Sequence, residues 1–359
     1  MNILNILYTF HPGGVERLAI DVSNELASEG HNAHICVISE KYSTELLAQL
    51  DNKVELHLLE KQKKNRKIGY VKQILQIIDR KKIEIVHVHQ GTLMNFFFLI
   101  KMLRPRVNFF FTVHDTYIFS NLSRMNQRLS VLICKKLIAI SDAVLEDISQ
   151  NGVQRKRIER VYNGVNFCKF SESAVQEKKE FYRIVNVARF FPEKKGQDIL
   201  VKASAILKRK GIPIRVCFAG GELSESTHYI SDMKQYAAEL DVADSIVFLG
   251  NVTDVPSLLR TADVFCIPSR YEGFGIAAVE AMGMGLPCVA SNIAGLNEVV
   301  DDEALGLLFE LDNAEDLAVK LEYVITHKTE FNAEKIAANV RSRFSIETMT
   351  HQLVGIYRG

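Results

Sequence analysis

The chain has 359 residues, of which 47% are apolar and 24% charged, more than one hydrophobic core comfortably holds and suited to two domains. Its apolar runs, such as Phe96 to Leu103, fall far short of the roughly 20 residues a membrane-spanning helix requires. The formal charge of +1 conceals 23 Lys and Arg against 16 Asp and Glu over Met1–Asn163, and 21 against 27 in the remainder, so the two halves are expected to meet different partners, with no nucleic acid among them.

From the start, MNILNILYTF lacks a basic segment followed by a long apolar one, so no signal peptide is expected and the chain reads as cytoplasmic. Asn2 to Thr9 reads as a strand, and His11-Pro12-Gly13-Gly14 turns it into a helix over Val15 to Glu29, with Leu18, Val22 and Leu26 on one face. Strands follow at Ala33 to Ser39, Val54 to Leu58, Ile83 to Val88, Asn108 to Val113 and Leu137 to Ile140, with a short piece near Ile158 to Tyr162. The polar stretch Asn163 to Glu180 breaks the alternation and reads as the linker. A second series runs through Tyr182 to Ala188, Arg215 to Ala219, Ser245 to Leu249, Ala262 to Ile267, Pro287 to Ala290 and Gly306 to Phe309. The tail from Ala314 is helical in pattern. Strands separated by helices imply parallel sheets with right-handed crossovers, hence two doubly wound α/β domains in tandem. The six cysteines are scattered without a C-x-x-C pair and read as buried thiols in a reducing compartment.

In doubly wound domains ligands bind beyond the carboxyl ends of the strands, and the informative residues cluster there. Glu272-Gly273-Phe274-Gly275-Ile276 joins a buried strand to a small-residue helix that contains Glu280. Glycines admit a ligand to the backbone, and the first N–H groups of a helix lack intrahelical acceptors, so the turn suits a phosphate. A carboxylate at Glu280 could accept two hydrogen bonds from a vicinal diol such as a ribose. Arg189 and Lys195 flank the next helix start, as a diphosphate clamp would, or as two solvated cations; Lys194 is adjacent. Gly220 and Gly250-Asn251-Val252 leave two further strands. In the first half, Gly13-Gly14 with Glu16 and the strand end Thr112-Val113-His114-Asp115 occupy the equivalent places. His87 and His89 share a strand face as a metal pair would, but no third ligand stands at a recognisable spacing.

The words EGFG, EAM, G-x-P-C-V-A and the Glu272-x7-Glu280 spacing resemble the retaining glycosyltransferases of family 4, and Arg189-x5-Lys195-Gly196 is similar to the same family's pattern. The resemblance covers nearly the whole chain. It implies the GT-B fold, two Rossmann-like domains facing across a cleft, with residues 1–163 and about 345–359 forming an acceptor-binding domain and 164–344 a nucleotide-sugar domain. Its final helix would cross back to the first domain. It further implies that Glu280 holds the ribose, Gly273 to Ile276 the phosphate and sugar by backbone contacts, Arg189 and Lys195 the departing diphosphate, and Glu272 the hydroxyls of the transferred sugar. Gly220 would shape the nucleotide pocket, and main-chain groups near Val252 would contact the base. Gly13 and Gly14 would close over the donor, and His114 would meet the sugar from the opposite side. One departure is Asn166, where the family usually has Asp after Asn-Gly-Val, which bears on a linker contact.

The activity so implied is transfer of a hexose or N-acetylhexosamine from a nucleotide-diphosphate sugar, UDP rather than GDP, to a lipid-linked acceptor in bacterial surface-polysaccharide synthesis. An epimerase or phosphorylase of the same fold, or a non-catalytic scaffold, are the alternatives. No Asp-x-Asp occurs in the sequence, and no metal or other cofactor is expected. The basic segments Lys61 to Arg80 and Asn121 to Lys136 read either as solvated faces or as attachments to an anionic membrane, where each basic residue contributes about 1 kcal/mol.

Overall fold

The computed structural model describes residues 1–11, 13–61, 67–170, 180–222 and 226–359. The polar centre of the first basic segment, 62–66, and half of the expected linker, 171–179, lie outside the described residues. The chain divides into two compact units, Met1–Asn166 with Phe344–Gly359, and Phe167–Arg343.

In the first unit the strands are β1 (Asn2–Leu7), β2 (Asn32–Ser39), β3 (Glu55–Lys61), β4 (Ile85–Val88), β5 (Asn108–Val113), β6 (Cys134–Ala139) and β7 (Ile158–Arg160). They form one parallel sheet in the order β3-β2-β1-β4-β5-β6-β7. Nearly continuous apolar runs such as Asn-Phe-Phe-Phe-Thr-Val in β5 make these strands, because helices cover both faces and every side chain of Phe109–Val113 is buried. The second unit repeats the design with β8 (Tyr182–Val187), β9 (Ile214–Ala219), β10 (Ile246–Gly250), β11 (Val264–Ile267), β12 (Cys288–Ser291) and β13 (Gly306–Phe309). Their order is β10-β9-β8-β11-β12-β13, again all parallel.

Both sheets reverse direction at their first strand. The chain winds from β1 outward to β2 and β3, then returns to place β4 on the other flank; β8 stands likewise between β9 and β11. At such a reversal the connections leave toward opposite faces and part to form a crevice, where ligands bind.

The tail is three helices, Ala314–Thr326, Ala333–Phe344 and Ile346–Arg358. Ser345 ends the second and caps the third, accepting from Thr348 N at 3.1 Å. The last helix belongs to the first unit, where Ile346, Met349, Leu353, Val354 and Tyr357 join the core beside the helix Gly14–Ser28. Gly164 permits this approach, since a Cβ there would lie 2.7 Å from the Ile346 Cα. Val165 N donates to Phe344 O at 2.9 Å, and Ile346 N donates back to Val165 O at 3.0 Å.

Candidate functional site

The reversal between β8 and β11 gathers most of the residues singled out in the second half. Beyond β8 the stretch after Arg189 is not a plain loop: Pro192–Lys195 forms one helical turn, started by proline at its first position and stopped by Gly196 at φ 64°. That turn sets Lys195 toward the β11 exit, where Nζ donates to Glu272 Oε1 at 2.5 Å. The Ser269 hydroxyl, fully buried, donates to the same oxygen at 2.9 Å. One carboxylate oxygen is thus fixed by two donors, and the side chain remains 13% exposed.

The two exits are braced together. Arg270 forms a bidentate pair with Asp198, both contacts at 2.9 Å, and its Nη1 donates to Pro192 O at 2.7 Å. Arg270 N donates to Lys194 O at 2.8 Å. With Asp198 and Asp312 around it, the guanidinium stays charged over the whole working range. Neither Arg270 nor Asp198 is picked out by the sequence patterns, because each acts through a partner 72 positions away, and Ser269, three residues before Glu272, belongs to no pattern either.

Gly275 precedes the helix Ile276–Gly283 in the left-handed region, φ 87°, where a side chain would be strained and its Cβ would meet Leu296 Cδ2 at 2.4 Å. The first intrahelical bonds run from Ala278 and Val279 to Gly275 O, so the N–H groups of Ile276 and Ala277 point out of the helix start. The Phe274 side chain is buried. Glu280 lies on the half-buried side of this helix. Arg189 is exposed, and its carbonyl accepts from the buried Gln197 amide at 3.2 Å.

Gly220, at φ 143°, is required by packing: a Cβ would lie 1.8 Å from Ala188 O. It also donates from N to Gly250 O at 2.7 Å. The exits of β10, β9 and β8, bearing Val252, Gly220 and Arg189, therefore stand side by side along one sheet edge.

At the reversal in the first unit, Gly13 and Gly14 start the helix Gly14–Ser28 without a left-handed φ. His89 leaves β4 and His114 leaves β5. His114 Nε2 and His89 Nδ1 are 2.9 Å apart, and His89 Nε2 lies 3.2 Å from Asn5 Oδ1. Asn5 Nδ2 donates to Ser23 Oγ at 3.0 Å. An amide oxygen only accepts, so His89 carries its proton on Nε2 and accepts at Nδ1 from His114 Nε2. This leaves Nδ1 of His114 as the acceptor.

His87 stacks on His89 at 4.6 Å between centroids. Its Nδ1 pairs with Tyr357 Oη and its Nε2 with Thr112 Oγ1, both at 2.6 Å. All four nitrogens of His87 and His89 are thus engaged, with Tyr357, Thr112, His114 and Asn5 as partners. Burial holds all three imidazoles neutral, pushing His87 and His89 well below their usual pKa and His114 down to about 3, with like neighbouring histidines adding to the effect.

Two family models tile the chain: "Glycosyltransferase Family 4" over residues 12–167 and "Glycosyl transferases group 1" over 169–343. An uncharacterised glycosyltransferase of Haemophilus influenzae is 25% identical over 323 residues, 88% of this chain and 87% of that protein. The Escherichia coli UDP-Gal:alpha-D-GlcNAc-diphosphoundecaprenol alpha-1,3-galactosyltransferase is 29% identical over 198 residues, 55% of this chain and about half, 49%, of that enzyme. In fold, the chain matches Anabaena HepE, solved in complex with UDP, at a TM-score of 0.84 and 20% identity over 99% of both chains.

Proposed function

This chain belongs to the family 4 glycosyltransferases, with the GT-B fold, and from that membership we propose that it transfers a hexose or N-acetylhexosamine from a UDP-sugar to a lipid-linked sugar acceptor, retaining the anomeric configuration. The observation that carries this reading is the Lys195–Glu272–Ser269 arrangement at the start of the helix Ile276–Gly283. It sets an ammonium, an ionisable carboxylate and outward-pointing N–H groups within one crevice.

The chemistry needed there is stabilisation of charge on a departing diphosphate. Lys195 and Arg189 supply fixed positive charge, and the N–H groups of Ile276 and Ala277 supply donors that need no reorganisation as the glycosidic bond breaks. Glu272, its Oε1 anchored by Ser269 and Lys195, presents Oε2 to hydroxyls of the transferred sugar. Glu280, four residues past the first helical position, binds the ribose. Backbone groups around Val252 meet the base, and the neutral Nδ1 of His114 accepts from a sugar hydroxyl. Gly13 and Gly14 admit close backbone approach by a ligand at the start of the helix Gly14–Ser28. The cationic side chains take the role that a metal ion plays on other diphosphate sugars.

The lipid-linked acceptor accords with the relative that acts on a diphosphoundecaprenol substrate and with the surface of the first unit. The helices Met94–Leu103 and Arg124–Ile133 pack together, and they expose Leu99, Met102, Leu103, Met125 and Leu132 beside the exposed Arg106, Arg124, Arg128 and Lys135. Apolar side chains among cations suit an anionic bilayer surface. No helix among the described residues is long and apolar enough to cross a membrane.

A screen of UDP-, GDP- and ADP-sugars for protection against thermal unfolding, followed by transfer to polyprenyl-diphosphate-linked sugars, tests the proposal. UDP-sugars are expected to protect and to be consumed only with acceptor present. Release of a free epimer, or binding without turnover on any acceptor, would replace transfer with the epimerase or scaffold reading.

A further inference from the structure

The outer margin of the first sheet carries a side-chain cluster for which the transfer reaction has no use. β3 is the edge strand, and in its register with β2 His34 stands opposite Glu55 and Cys36 opposite His57. Glu55 and His57, two apart, point to the same face as His34. His34 Nδ1 lies 3.2 Å from His57 Nε2 and 3.5 Å from Glu55 Oε2. All three ligand atoms fall within 4.8 Å of one another, and the two rings stack with planes 25° apart.

Two atoms each about 2.1 Å from a tetrahedral zinc ion are about 3.4 Å apart. The measured edges of 3.2 and 3.5 Å bracket that figure. Lys81 Nζ lies 2.7 Å from Glu55 Oε1, whereas the atom facing His34 is Oε2. Outer-shell partners of metal-binding carboxylates stand in the same way.

We propose that His34, Glu55 and His57 form a binding site for a zinc-class divalent cation, two imidazole nitrogens and one carboxylate oxygen with water as fourth ligand, which clamps the edge strand β3 to β2. Two imidazoles and one carboxylate favour Zn2+, Co2+ or Ni2+ over Mg2+. The site lies near the amino-terminal ends of β2 and β3, whereas the transfer chemistry occupies the carboxyl-terminal strand exits. Its role is therefore structural, and an edge strand fastened by a metal is also less open to pairing with another chain.

The test uses the full chain with Cys168→Ser, which removes the exposed thiol, stripped with a chelator and titrated with Zn2+ by calorimetry. One equivalent is expected to bind and raise the thermal midpoint, Mg2+ to do neither, and Co2+ to give the intense visible absorption of tetrahedral coordination. His57→Gln and Glu55→Gln should each weaken Zn2+ binding at least tenfold while keeping the metal-free midpoint near that of the parent. Equal binding by parent and both variants, no binding at all, or a Co2+ spectrum like that of the aqueous ion would overturn the site and leave a hydrogen-bonded histidine pair. The readouts need no donor or acceptor, so they stand apart from the outcome for sugar transfer.

Discussion

At the same topological place, the two units carry opposite chemistry. The second unit's reversal is built from charge: Lys195 on Glu272, Arg270 on Asp198, with Arg189 exposed beside them. The first unit's reversal is built from His87, His89 and His114, kept neutral by burial and joined to Asn5, Thr112 and Tyr357. A charged edge suits a leaving diphosphate. A neutral edge suits hydroxyl groups that need orientation without strong attraction, and it holds its hydrogen bonds with little change across neutral pH.

The largest effect that would sharpen this contrast is expected from Lys195→Ala. Removing a donor aimed at developing charge costs about 10²- to 10³-fold in kcat, and the substitution also leaves Glu272 with Ser269 as its anchor. Steady-state transfer at saturating donor measures it, and Lys195→Arg should recover part of the loss by restoring the charge. An unchanged kcat would remove the second unit's edge from the chemistry. Glu280→Gln comes next. Its contact with the ribose would be made equally in ground and transition states, so the donor KM should rise about tenfold with kcat within about twofold. A fall in kcat as large as that for Lys195→Ala would erase the distinction between binding and charge stabilisation.

The thirteen strands among the described residues lie where the sequence places them, shifted by no more than about three residues at an end. Fully buried parallel strands read as unbroken apolar runs, and a local signal therefore suffices. The positions of Arg189, Lys195 and Glu272 at strand exits were legible for the same reason. What joins them was not. Pro192–Lys195 is a single helical turn in a stretch that reads as loop, Arg270–Asp198 is a pair created by tertiary packing, and Ser269–Glu272 is a contact within one turn that no motif marks. His87 and His89 show a different limit. Alternation put both on one strand face and supplied no third metal ligand, but it could not show that Tyr357 from the far end of the chain and Thr112 and Asn5 from neighbouring strands occupy their nitrogens. The metal-like geometry lies instead at His34, Glu55 and His57, contributed by two strands, and no spacing within one segment displays it.

Acid provides a smaller test, aimed at the first unit. An unfolded histidine titrates near 6.5, whereas His87 and His89 have lowered values in the fold. Below about pH 6.5 the unfolded chain therefore takes up protons that the folded chain refuses. The stability these groups support is complete above that pH and falls as pH drops, by up to about 1.4 kcal/mol per pH unit for each histidine. Thermal midpoints at pH 7.5 and 5.5 should show a steep fall for the parent chain and a shallower one for His89→Gln. Identical slopes would mean that the imidazoles are not held neutral.

The smallest expected effect is none, and it bears on the charged edge. If Arg189, Lys195 and the helix start at Ile276 supply the positive field for the diphosphate, transfer should proceed at the same rate in EDTA. Stripping a cation from His34, Glu55 and His57 would lower the thermal midpoint while leaving turnover at moderate temperature unchanged, because those residues lie toward the opposite end of the first sheet from the strand exits. Measuring rate and midpoint on the same EDTA-treated sample separates the two. A rate that collapses and returns only with Mn2+ would mean that side-chain cations are not enough, and the second unit's edge would have to be read as half of a metal-bridged site.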